Sequence, residues 1–166
     1  TGISGLFPWS IVRLCSNRCK NSTPKSSLTY HQDWTPGGLS YRDDGVMEGY
    51  VDQEMRALLS IRIGQRNATP ELQIYAWLDT AFNGTLVLPK NVAVELGLPV
   101  ESIAEAILAN GELVELETYG CSIHRLGKVY DTQVVTNDSE YGLIGTGLLV
   151  DRIITVDYKA KTVSVD

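Results

Sequence analysis

Asp79 is the residue whose neighbours are best suited to chemistry. It follows the apolar stretch from Leu72 to Leu78 and opens the loop Thr80-Ala81-Phe82-Asn83-Gly84. Thr85-Leu86-Val87-Leu88-Pro89 then turns apolar again. A carboxylate there sits at the edge of a core, where backbone N–H groups orient it and partial burial tunes its proton affinity. Those are the conditions for acid–base work. A plainer reading stands beside it, because aspartate often closes a turn on its own backbone. Local pattern leaves both open.

The other chemistry-bearing residues have weaker surroundings. Cys15 and Cys19 have the spacing of a metal pair, but zinc needs about four ligands, and His31 and His124 are poorly placed to complete a set. No metal and no organic cofactor are expected. Cys121 reads as a small apolar residue and His124 as a strand histidine. Gly142-Leu143-Ile144-Gly145-Thr146-Gly147 lacks the glycine spacing and the βαβ setting of a dinucleotide loop. Glu112, Glu115 and Glu117 fit the solvated face of a strand.

The elements that must hold Asp79 are mostly strands. Ala57 to Ile63 alternates and is followed by Gly64, which predicts a strand and a turn. Leu72 to Leu78 and Thr85 to Leu88 are further strands. Lys90 to Leu96, with Gly97 after it, fits a two-turn helix with a glycine stop. Ile103 to Leu108 and Leu113 to Tyr119 flank Asn110-Gly111, the strongest short hairpin signal. A second hairpin is expected from Cys121 to Val135 around Leu126-Gly127, and a closing one from Ile153 to Val165. Between them Leu143 to Val150 reads as a strand end and one helical turn. About nine short strands without βαβ alternation predict a small closed or sandwiched all-β fold.

Composition divides the chain near Met47. The 166 residues carry a net charge of -6. Residues 1–46 hold five basic and three acidic side chains; residues 47–166 hold nine and 17, a net charge of -8. The first part is broken by Pro8, Pro24, Pro36, Gly37 and Gly38 and shows no period. It reads as a flexible extension or sequence upstream of a natural start, and 47–166 as the working domain. Leu6 to Leu14 lacks the basic start and cleavage site of a signal peptide, so a cytoplasmic location is expected. An acidic protein has no basic surface for nucleic-acid phosphates. No stretch approaches the roughly 20 apolar residues that span a bilayer, so a membrane partner is not expected.

The run Trp77-Leu78-Asp79-Thr80-Ala81-Phe82-Asn83-Gly84, followed by Leu86-Val87-Leu88-Pro89, resembles the active-site loop of retropepsin-like aspartic proteases, especially the small bacterial single-domain type. That family's later landmark, two apolar residues and a glycine leading into a short helix, is similar to Leu143-Ile144-Gly145. The Asn110-Gly111 hairpin stands where the family has its flap, with Leu108 at its base. The resemblance covers Met47 to Asp166 and rests most on the order of the elements. It implies the retropepsin-like acid-protease fold, a closed small β-barrel with one or two short helices that is active as a homodimer. It also implies an aspartic endopeptidase that binds a peptide or protein substrate, with Asp79 as its catalytic residue.

Aspartate-driven peptide hydrolysis takes two carboxylates about 3 Å apart that share one proton. The ionised one activates water while the protonated one polarises the scissile carbonyl, and the roles then exchange. Asp131-Thr132 lies inside a hairpin strand and makes a poor second loop. The expectation is therefore a homodimer in which the Asp79 residues of two subunits meet on a two-fold axis. By resemblance, Thr80 braces the opposite loop, and Gly84 supports the turn. Two residues depart from the family pattern. Ala81 stands where the family has glycine, and Gly147 where it has an acidic or amide residue. An alanine forced to positive φ costs about 1–2 kcal/mol. The alternative is thus a catalytically degenerate dimeric β module that binds peptides or partner proteins.

Overall fold

The computed structural model describes residues 11–18, 46–69 and 72–166. Eleven strands make one sheet: β1 (Ile11–Arg18), β2 (Met47–Val51), β3 (Ala57–Gln65), β4 (Leu72–Leu78), β5 (Leu86–Pro89), β6 (Val100–Leu108), β7 (Leu113–Arg125), β8 (Lys128–Asn137), β9 (Gly142–Ile144), β10 (Ile154–Asp157) and β11 (Thr162–Val165). Helix α1 (Lys90–Glu95) and a 3-10 turn at Thr146–Leu148 complete the described elements. Because β7 pairs with both β8 and β3, the strands β3, β4, β9, β5, β8 and β7 close into a six-stranded barrel. The fold is all-β, as the sequence predicts.

Period-two burial fills the barrel. Leu59, Ile61 and Ile63 of β3 are fully buried and meet Ala76 of β4, Leu86 and Leu88 of β5, and Cys121 and Ile123 of β7. Burying an aliphatic side chain of this size contributes about 1.5–3 kcal/mol. Helix α1 buries Val92 and Ala93 against the same core. It ends as its glycine demands: Gly97 has φ +61, its N–H donates to Val94 O, and Leu98 N–H reaches back to Ala93 O.

Three sequence expectations change. β3 runs through Gly64 to Gln65, because Gly64 is held by pairing with Ser122 of β7 and makes no turn. Leu113 to Arg125 is one strand of 13 residues, so the two central hairpins share it. Gly120, between the two stretches read as separate strands, is a close approach: a Cβ there would run into the Glu101 side chain. The third change lies in the first part of the chain, where the sequence showed no period. Ile11–Arg18 forms a strand antiparallel to β6. Apart from that strand, the expected extension lies outside the described residues.

Candidate active site

The loop that opens at Asp79 joins β4 to β5, and β9 lies between those two strands. Leu143 pairs with Trp77 on one side and Val87 on the other; Ile144 pairs with Leu78 and Leu86. The parallel β4–β9 register carries the chain end of β9 alongside Asp79. Asp79 N–H then donates to Ile144 O at 2.9 Å. The two sequence landmarks are therefore one structural unit.

Backbone bonds fasten the loop to the segment after β9. Gly145 N–H donates to Thr85 O (3.1 Å), Thr146 N–H to Phe82 O (2.8 Å) and Gly147 N–H to Gly84 O (3.0 Å). The Thr146 hydroxyl adds a second bond to Phe82 O at 3.2 Å. This closeness explains the glycines. A Cβ on Gly145 would overlap Gly84 O and the Phe82 ring, and one on Gly147 would stand 2.9 Å from Gly84 O. Gly147 departs from the family pattern in this chain at a point where two backbones touch.

Phe82 anchors the loop from below. It is fully buried with Val87, Val135 and Leu143, and with Ala104, Ala106 and Leu108 of β6. The loop's phenylalanine and the inner face of β6 thus share one buried cluster. Asp79 is left half-buried above this cluster, and Thr80 and Ala81 are exposed. Ala81 N–H donates to Asp79 Oδ1 at 2.9 Å. Ala81 is not among the residues with positive φ, so the methyl group brings none of the strain weighed from the sequence.

Asp79, Thr80, Ala81 and Leu143 line a cleft of about 270 Å3. Trp77 of the same run also lines it, and other walls carry no local signal in the sequence: Arg56 just before β3, and the turn through Asn137 and Tyr141. That turn is shaped by Ser139, whose N–H donates to Asn137 Oδ1 (3.3 Å) and whose hydroxyl donates to Tyr141 O (2.6 Å). Arg56 lies over the Tyr141 ring at 4.3 Å from its centroid. No local pattern marks a pair that lies 85 residues apart.

Asn110 and Gly111 form the expected hairpin turn, with Gly111 at φ +85 and its N–H donating to Leu108 O at 2.8 Å. Neither lines the Asp79 cleft. Leu108 lines a second cavity of about 190 Å3 with Lys90, Glu117 and Asn137. Asn137 lines both cavities. Glu117 of the second cavity accepts from the buried Tyr119 hydroxyl at Oε2 (2.7 Å), and Lys90 Nζ stands 3.3 Å from the same oxygen. The Tyr119 bond, with help from Lys90, holds the Glu117 carboxyl below its ordinary range.

No protein-family model matches the chain, and no curated protein matches it. Among solved structures, it is similar to the crystal structure of a retropepsin-like aspartic protease from Rickettsia conorii. The TM-score is 0.51 with 18% sequence identity, covering 73% of this chain and 89% of that one. The fold is retropepsin-like. Among the described residues, no helix is long and apolar enough to cross a membrane.

Proposed function

We propose that residues 47–166 form an aspartic endopeptidase domain that works as a homodimer, with one Asp79 carboxylate from each subunit. The observation that carries this reading is the seating of Asp79. It projects at a cleft, accepts the Ala81 N–H, and is fastened through Ile144 to the second landmark. A cleft carboxylate with a fixed orientation is what water activation needs. The retropepsin-like fold gives the same assignment by resemblance.

The mechanism follows from one carboxylate per chain. Two Asp79 residues meeting on a two-fold axis share a proton; the ionised one takes a proton from water as it attacks the peptide carbonyl. The other donates its proton to the carbonyl oxygen, and the leaving amine is protonated as the roles exchange. Thr80 is exposed and its hydroxyl meets no acceptor among the described residues, which leaves it available to the second subunit's loop. The β6–β7 hairpin acts as the flap over an extended peptide, whose backbone pairs with strand edges. The ordinary φ and retained N–H of Ala81 speak against the degenerate-module alternative.

The test combines oligomeric state with cleavage. The protein is expected to sediment as a dimer and to cut members of a peptide library between about pH 4 and 7. Asp79→Asn is expected to abolish cleavage without changing the dimer. A strict monomer, or cleavage that survives Asp79→Asn, sinks the proposal.

A further inference from the structure

We infer that Arg56 sets the substrate class of this cleft, by donating from Nη1 to an acidic side chain of the bound peptide. This rests on the reading of the cleft as a peptide site.

The inference comes from counting the guanidinium's donors. Arg56 Nε donates to Asp52 Oδ2 at 2.6 Å, and the Arg56 main-chain N–H donates to Asp52 Oδ1 at 2.8 Å. One carboxylate therefore grips both ends of the residue. Nη2 meets Glu54 Oε2 at 3.0 Å and the Tyr141 hydroxyl at 3.4 Å. Nη1 has two N–H donors and meets no acceptor among the described residues. The group lies over the Tyr141 ring, its Cζ 4.3 Å from the centroid. The result is an oriented cation on the wall of the Asp79 cleft, with one nitrogen unspent.

The surrounding charges decide what it takes. Glu54 is 66% exposed, so its pairing with Arg56 is weakened by water. Asp52 is 12% exposed and is committed to Nε and the backbone. The remaining face of the guanidinium suits a planar acceptor, and an ionised carboxylate makes a bond about twice as strong as a neutral amide does. The domain's overall negative charge acts against acidic peptides at long range. Ions screen that field within about 8 Å, whereas a direct contact at Nη1 is made inside that distance.

The test uses the full chain carrying Asp79→Asn, so that binding is read without turnover. Fluorescent octapeptides share a neutral frame in which one position at a time carries either Glu or Gln. At one position, or two neighbouring ones, the Glu peptide is expected to bind about tenfold tighter than its Gln twin. Arg56→Gln should bring the pair to parity, and the ratio of the two affinities is the quantity read. Since that change strands Asp52, the double variant Asp52→Asn/Arg56→Gln repeats the measurement with both charges removed. Equal affinity within every pair, measurable or not, overturns the inference, as does a variant that weakens both twins alike. Cleavage by the unsubstituted enzyme is scored separately. Discrimination without any cleavage removes the protease reading and keeps the Arg56 subsite; cleavage without discrimination does the reverse.

Discussion

Ala81 donates its main-chain N–H to Asp79 Oδ1 at 2.9 Å, and does so at an ordinary backbone conformation. The residue that departs most visibly from the family pattern thus still makes the bond that orients the carboxylate. Its methyl group is exposed at the cleft and changes the shape of the floor, while the bond itself comes from the backbone.

Ala81→Gly is therefore expected to leave turnover within about twofold of the unsubstituted protein. At a position without positive φ, glycine mainly adds freedom to the unfolded chain, which costs about 0.4–1 kcal/mol. Urea melts and cleavage rates measured side by side check this. A large gain in activity would show that the methyl group obstructs the site.

Gly145→Ala is expected to act in the opposite way. Its Cβ would stand 2.8 Å from Phe82 O and closer still to Gly84 O and the Phe82 ring, in a segment held by several backbone bonds. Overpacking of this kind costs about 1–3 kcal/mol. The loop must shift to relieve it, so cleavage should fall further than stability alone explains. Gly97→Ala is the control. That site has φ +61 but only Gln65 Nε2 nearby, at 3.6 Å, and lies at the end of α1. It should lose about 1–2 kcal/mol to backbone strain and leave cleavage unchanged.

Tyr119 predicts a specific alkaline weakness. It is 3% exposed, and burial, followed by its bond to Glu117, pushes its hydroxyl up to about 12. A raised value means that the folded state holds the proton more tightly than the unfolded chain. The stabilisation is complete below about pH 10, where free tyrosine titrates, and is lost as pH rises toward about 12, by about 3 kcal/mol at most. Tyr119→Phe should lower stability at neutral pH by removing the bond to Glu117, and should flatten the fall between those limits. Melting curves of both proteins across that range check the sign.

Much of this site was legible because its signals are local. The apolar strand before Asp79, the small-residue loop, the Asn110-Gly111 turn and the Gly97 stop each follow from a few neighbouring residues, and each stands where the sequence places it. What stayed hidden depends on distant pairing. Only the strand order shows that β9 enters between β4 and β5, and so binds Leu143-Ile144 to the Asp79 loop. Arg56 and Tyr141 likewise carry no local signal, and only the folded chain brings them together. Gly64 misled for the reverse reason. A glycine that permits close packing is indistinguishable in sequence from one that turns the chain.

A mixing experiment tests the two-subunit mechanism. In the proposed mechanism each chain supplies one Asp79 loop, so a complete dyad needs two unsubstituted subunits in one dimer. When unsubstituted and Asp79→Asn chains are unfolded together and refolded, subunits pair at random. The fraction of dimers with two carboxylates then falls as the square of the unsubstituted fraction. An equal mixture should keep about a quarter of the activity of the same total protein, half of what separate, independent sites would keep. A linear dependence on the unsubstituted fraction would assign each chain a complete site of its own and would require a second catalytic group within one subunit. A quadratic dependence, with dimer content unchanged across the series, leaves the two Asp79 carboxylates as parts of one site.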